Sequence, residues 1–425
     1  MNLANRFWFY STLLYCLISL LLIYLHNGFL IDDAGIYFSE AIRSPGVLYP
    51  SKSDFYSDFI WHPMVINVSR LIFWLGGNLK VIQIINLILS VGILHGLRRI
   101  ARTFFNERVS KITFLICLLY PNFYVWNLAI CTEIYFMFFL VIILNLYFSD
   151  LFLKYLYIGL LFPILDYSRE LGLLIFLAFV IGNYSKVFSL NRLKNRFNDL
   201  CLFALGFIVV YFSIGKFHEF KTGIFWTKGS VLGYNLINGA AGDHIGENNN
   251  MATQKGSLGY IPNAQVVPFF VKDSIWRHRG FEFIIERPIE YLKPFPRKLI
   301  KLFTHDLAFV NFSYEKYSWY QMAKDYRVRK SIANLIIDYP LLWILNIWFY
   351  LLFAAELMGI WISRIYYKDI LPYLVLGISI LFLPMLFQTQ PRYHMPTFLL
   401  FLPFVAIFID NKWKQMSWMN KIVGN

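Results

Sequence analysis

Long apolar runs alternate with short polar turns through the first half of the chain, give way to a mixed polar stretch, and return near the end. A helix that crosses a bilayer needs about 20 largely apolar residues. Runs of that kind, some slightly shorter, lie near 7–25, 79–97, 112–130, 133–149, 152–167, 170–183, 199–217, 336–362, 370–388 and 395–410. The pattern predicts about ten spans, the fifth and sixth short enough to be tilted or partly re-entrant. The stretch "FIWHPMVINVSRLIFWLGG" predicts an interfacial or half-inserted helix, because His62, Pro63 and Arg70 interrupt it. Residues 218 to 335 read as one long polar segment that opens with a Gly/Asn-rich loop, "GYNLINGAAGDHIGENNN". Its second half, "RHRGFEFIIERPIEYLKPFPRKLIKLF", mixes apolar, acidic and basic positions between prolines, as short amphipathic helices on a membrane surface do.

The chain thus divides into an N-terminal membrane module, 1–217, with an external loop at 26–78; an external or interfacial segment, 218–335; and C-terminal helices with a tail, 336–425. Neither repeats nor heptads are visible.

Composition agrees with the pattern. Hydrophobic residues make up 58% and charged residues 15%, and the mean hydropathy is +0.53; soluble domains carry about 25% charged residues. The chain reads as an all-α polytopic membrane protein. Aromatics reach 20%, which suits a large membrane-interface surface. The first run lacks a small-residue cleavage site and reads as a retained helix. Cys16, Cys117, Cys131 and Cys201 form no CxxC pair, so neither disulfide nor zinc chemistry is indicated. A net charge of +14 on so apolar a chain points to anionic lipid heads or phosphate-bearing substrates, not to nucleic acid.

Lysine and arginine in short loops set orientation. Arg98, Arg99, Arg102, Arg108 and Lys111 form one group, Lys186, Arg192, Lys194 and Arg196 another, and Lys412, Lys414 and Lys421 a third. Alternation from a cytoplasmic amino terminus places all of them on the cytoplasmic face. The loop with Asp32, Asp33, Glu40, Asp54 and Asp58 then falls outside. Compactness and the lack of a retention signal favour a bacterial inner membrane.

Polar groups out of keeping with their surroundings occupy four external positions: Asp32 with Asp33; Glu133 in "AICTEIYF"; Asp166, Arg169 and Glu170 in "ILDYSRELG"; and Arg392, Tyr393 and His394 in "FQTQPRYHMPTF". Each has an ordinary role as well. The aspartates could end a helix in water, Glu133 could favour a helix N-terminus, the arginines could snorkel to lipid phosphates, and His62 and His394 could be hydrogen-bonded interfacial residues. Their convergence on one face is what marks a candidate site, since charge at bilayer depth costs about 2.5–3.5 kcal/mol.

The order of "DDAGIYFSEAI", "WHP", "LGGNLKVIQIINLILSV", "YPNFYVWNLAICTEIYF", "DYSRELG" and "QPRYHMPTFLLFLP" resembles the GT-C superfamily over nearly the whole chain. These are integral-membrane glycosyltransferases that use polyprenyl-phosphate sugars, and they include protein O-mannosyltransferases and the aminoarabinose transferase of lipid A. The resemblance implies a catalytic acid in the first external loop. Asp33, four residues before Tyr37, fits its usual spacing, whereas the more frequent Asp-then-Glu order falls on Asp32-Asp33; both remain open. It also places His62-Pro63 on a His-Pro-Pro-like stretch that here lacks the second proline, and Thr132-Glu133 on the family's Thr/Ser-Glu turn. Arg169 falls on the basic residue after the fifth helix, and Arg392-Tyr393…Pro396 on the opening of the last.

The chemistry suits those residue types. A polyprenyl phosphate is a good leaving group, so the enzyme must deprotonate an acceptor hydroxyl. A carboxylate acting as general base contributes about 10²–10⁴ in rate, and an adjacent acid raises its basicity. Arginines in a water-poor site, here Arg392 and Arg169 with Tyr393, answer the phosphate charge. Tyr37 and His62 are substrate-binding candidates. The expectation is inverting transfer to a lipid, glycan or protein acceptor with no obligatory metal, although a divalent cation on the donor phosphate is compatible with the acids. An O-antigen-type polymerase or ligase is the second enzymatic reading. A transporter or flippase is the non-enzymatic one, and it calls for polar residues at mid-membrane.

Overall fold

The computed structural model describes residues 3–26, 33–57, 59–169, 190–227, 232–240, 250–303, 340–387 and 394–423. Among them the secondary structure is helical. In chain order the helices are α1 (Leu3–Leu25), α2 (Asp33–Arg43), α3 (Pro63–Trp74), α4 (Leu79–Phe104), α5 (Glu107–Leu118), α6 (Pro121–Leu128), α7 (Thr132–Tyr147) and α8 (Lys154–Ser168). They continue as α9 (Leu190–Thr222), α10 (Leu232–Ala240), α11 (Phe269–Glu286), α12 (Pro288–Leu292), α13 (Phe295–Leu302), α14 (Pro340–Ile362), α15 (Tyr367–Leu386) and α16 (Met395–Val423).

Among the described residues five helical stretches are long and apolar enough to cross a bilayer: Arg6–Leu25, Leu79–Phe104, Phe197–Thr222, Trp343–Ile365 and Met395–Lys414. A sixth arises if α5 and α6 count as one span. The remaining apolar runs fall on shorter helices, α7, α8 and α15, and the run at 170–183 lies outside the described residues. The run at 112–130 departs from the single span expected of it, because α5 and α6 meet at a 60° bend. Pro121 is the cause. Tyr120 before it is held extended (φ −94°, ψ 104°), since proline excludes the helical region from the residue it follows.

A broken helix inside a membrane protein exposes backbone groups that lipid cannot satisfy. At the bend the Leu118 carbonyl accepts from Tyr124 Oη at 2.9 Å, and at the far end of α6 the partners come from α4. Asn86 Nδ2 donates to the Ala129 carbonyl at 2.8 Å and to that of Trp126 at 3.3 Å, and Gln83 Nε2 donates to Leu128 at 3.2 Å. Next to them Asn127 Nδ2 donates to Tyr15 Oη at 2.9 Å and Ser19 Oγ at 3.0 Å on α1, while its own oxygen accepts from Ser90 on α4. One amide network therefore ties α1, α4 and α6 together.

The last helix is the centre of the bundle: 78% of its span window is buried, against 11% for the Phe197–Thr222 window of α9. Close crossings use glycine, as lipid-embedded packing favours. A Cβ on Gly359 of α14 would strike the Phe404 carbonyl of α16, and one on Gly159 of α8 the Phe203 carbonyl of α9.

Contacts fix the two ends. At one end Arg98 lies over the Trp8 ring at 3.6 Å, Trp8 donates to Glu107 at 3.3 Å, and Arg108 pairs with Asp410 at 2.8 Å. The start of α1, the α4–α5 turn and the late part of α16 thus share a basic end. At the opposite end Lys80 donates to the Ile23 and His26 carbonyls, where α1 finishes and α4 begins.

Candidate functional site

Asp33 opens α2 and lies half-buried in its first turn, where the helix dipole favours a carboxylate. Tyr37 follows one turn later on the same face and is buried. Its ring meets Trp61 edge-on at 5.9 Å and His62 at 6.4 Å. His62 is the N-cap residue of α3, and Pro63 is its first helical residue, a position where proline costs no hydrogen bond.

The connection between α2 and α3 is clamped from both sides. Asn67 of α3 accepts from the Tyr49 amide at 2.8 Å and donates to its carbonyl at 2.7 Å. Tyr49 Oη in turn accepts from the Trp61 amide at 2.7 Å. Buried Arg70 donates to the Glu40 and Val47 carbonyls at 3.1 and 2.9 Å, and Arg43 pairs with Glu40 at 2.7 Å and Asp54 at 2.9 Å. Burial raises the Glu40 carboxyl above its ordinary value, against the lowering effect of Arg43 and Arg70. Burial likewise holds the Tyr49 phenol in its neutral form, as a donor and acceptor.

Asn67 also carries α3 to the next helices. Its Nδ2 donates to Tyr167 Oη at 3.0 Å, and Tyr167 meets His218 Nε2 of α9 at 2.9 Å. Two residues beyond Tyr167, Arg169 caps α8 in an extended conformation (φ −162°) and reaches Glu133 at 3.5 Å. Glu133 is the second residue of α7, where a negative charge again suits the N-terminus, and Thr132 donates to it at 3.3 Å. The side chains of the pair are 14% and 7% exposed, so the charges are largely withdrawn from water.

Of the residues singled out in the sequence, Asp33, Tyr37, His62, Glu133 and Arg169 stand at the ends of packed helices on one side of the bundle. Asp32, Glu170, Arg392 and Tyr393 lie outside the described residues. His394 immediately precedes α16, donates from Nδ1 to the Leu302 carbonyl at 2.8 Å, and packs its ring 4.7 Å from Phe349. Among the described residues no group of three or more His, Cys, Asp or Glu side chains is placed to hold a metal.

The polar segment contributes what sequence reading did not anticipate. Lys272 of α11, fully buried, donates to the Ser57 carbonyl at 2.7 Å and fastens the segment to the α2–α3 connection. Lys298 of α13, equally buried, donates to the carbonyls of Gly239, Met385 and Phe387 at 3.2, 3.0 and 3.1 Å. Burial lowers this ammonium to about 8. A run of rings continues from Tyr37 through Trp61 to Phe59 (4.4 Å), Tyr234 (5.1 Å) and Trp276 (5.6 Å). It borders a cavity of about 650 Å³. Periodicity could not reveal these links, because most of the anchoring partners are backbone carbonyls distant in sequence.

Fold and site together define a polytopic, all-helical membrane protein with a polar cluster gathered at the end opposite its basic turns. No known protein family, no curated protein and no solved structure matches the chain.

Proposed function

We propose that this protein is a membrane glycosyltransferase of the GT-C kind, moving one sugar from a polyprenyl-phosphate donor to an acceptor hydroxyl. The supporting observation is the grouping of Asp33, Tyr37 and His62 on α2 and α3 with the sequestered Glu133–Arg169 pair on α7 and α8. Asn67 and Tyr167 link the two halves. Asp33, or its neighbour Asp32, accepts the proton of the acceptor hydroxyl. The acceptor oxygen forms a bond to the anomeric carbon as the bond from that carbon to the phosphate oxygen breaks. The electron pair leaves with polyprenyl phosphate, and the sugar inverts. Arg169 and, by the resemblance, Arg392 with Tyr393 balance the phosphate charge, while Glu133 holds Arg169 in place. The basic end faces the cytoplasm by the positive-inside rule, which puts transfer at the outer face, in a bacterium the periplasmic face of the inner membrane. A divalent cation on the donor phosphate is compatible with this scheme and not required by it.

The test compares surface glycans and polyprenyl-phosphate sugars, by mass spectrometry, in cells lacking the gene. The gene is restored as wild type or as an Asp32→Asn/Asp33→Asn double variant at equal membrane abundance. The proposal expects one sugar to vanish from a glycan, its lipid-linked donor to accumulate, and only the wild type to reverse both. Full restoration by the double variant would contradict it.

A further inference from the structure

The cavity beside Trp61 combines features that suit one ligand class. Its volume of about 650 Å³ lies in the range of small-molecule sites, about 300–1,000 Å³. Aromatic rings from two distant parts of the chain line it: Phe59 and Trp61 from the α2–α3 connection, Tyr234 and Tyr260 with Trp276 from the polar segment. Asn263 and Gln265 stand at its exposed rim, each with an amide that both donates and accepts. Flat rings beside two-way amides match a pyranose, whose C–H faces pack on aromatics while its hydroxyls exchange hydrogen bonds. The polyisoprenoid tail would have no use for the amides. A peptide acceptor held by backbone pairing needs a strand edge, and the described residues contain no strand.

The walls are fixed in advance of binding. Trp276 Nε1 donates to the Gly259 carbonyl at 2.7 Å, and Arg279 donates to those of Leu258 and Tyr260 at 3.3 and 2.6 Å. Asn263 holds a left-handed backbone (φ 53°), a conformation disfavoured outside glycine and concentrated at binding sites. Preorganisation of this kind lowers the cost of binding. Trp61 belongs to the cavity and also touches Tyr37, so a ligand seated there ends beside the Tyr37–His62 edge.

We propose that the cavity bordered by Trp61, Tyr234, Tyr260, Trp276, Asn263 and Gln265 is a saccharide subsite that seats a glycan acceptor next to the catalytic carboxylate. The direction of transfer rests on the glycosyltransferase reading above; the binding of saccharide does not.

The experiment uses the full chain in nanodiscs and saturation-transfer NMR. The probe is the oligosaccharide mixture released by mild acid from the surface polysaccharide of the producing cells. Wild type saturates probe resonances. Asn263→Gly, which keeps the backbone conformation and deletes the amide, and Gln265→Ala each weaken binding about two- to tenfold, the worth of one hydrogen bond. The Asp32→Asn/Asp33→Asn variant still binds the probe while transfer is lost. No saturation by wild type, unchanged binding by both rim variants, or displacement of the probe by polyprenyl phosphate or a Ser/Thr-rich peptide overturns the subsite. If the Asp32→Asn/Asp33→Asn variant binds the probe and also transfers sugar normally, the catalytic reading falls and the subsite stands.

Discussion

Two groups of buried polar residues occupy this molecule, and they differ in what they leave for other partners. The network around Asn127 is neutral, fully buried, and spent on the protein itself. Its amides close the carbonyls left open at the C-terminal end of α6 and bridge α1, α4 and α6. The group around Glu133 and Arg169 is charged and sits at helix ends beside the clamped α2–α3 connection. Its ion pair spans 3.5 Å, where Arg43 and Glu40 nearby close to 2.7 Å. Buried polarity is therefore not itself a sign of function in a membrane protein.

Substitutions sharpen the contrast. The largest effect is expected from Asp32→Asn/Asp33→Asn, which should lower sugar transfer about 10²–10⁴-fold, the range of a lost general base, while membrane abundance stays at the wild-type value. Arg169→Ala removes the cation paired with the buried Glu133 carboxylate and should cost up to about 3–5 kcal/mol. Adding Glu133→Gln should recover part of that stability but no transfer, and a double-mutant cycle on unfolding measures the coupling. Asn127→Leu acts the other way: it should destabilise the bundle by about 1–2 kcal/mol and leave turnover per folded molecule unchanged. Loss of transfer with intact folding would erase the distinction between the two groups.

The smallest effect is a pH slope from Lys298. Its folded value of about 8 lies below the ordinary 10.5, so between those values the unfolded chain binds the proton that the folded chain has released. Stability should therefore rise with pH across that window, and Lys298→Met should flatten the slope in thermal melts read from pH 7.5 to 10 (a range chosen to bracket the shift).

Glu356 tests the transport reading. It is buried in α14, the kind of intramembrane acid that proton-coupled carriers use. Glu356→Gln should leave sugar transfer at wild-type rate in membranes supplied with a polyprenyl-phosphate sugar.

Much of the architecture was legible in the sequence, for a physical reason. Apolar runs of span length have few alternatives in a bilayer, so the runs beginning near 7, 79, 199, 336 and 395 all became long helices. Glu133 was legible as the start of a helix from its Thr-Glu turn. Its partner Arg169 was visible as an odd charge, but their pairing needed the α7–α8 packing. The bend at Pro121 was written in "YPN" and overlooked, because the hydropathy of the run runs straight through it. The aromatic cavity was beyond reach, since Trp61 and Trp276 are brought together only by the folding of the polar segment onto the α2–α3 connection through Lys272.

The most direct measurement is sugar transfer from a polyprenyl-phosphate donor by membranes holding wild-type, Asp33→Asn or Asp32→Asn/Asp33→Asn protein at equal, folded abundance. The account predicts that the donor is consumed by the wild type and not once both aspartates are replaced, with an inverted anomer in the product. Equal consumption by Asp33→Asn and by a matching Asp32→Asn/Asp33→Asn protein would contradict it, and would reduce the acidic start of α2 to a helix terminus in water.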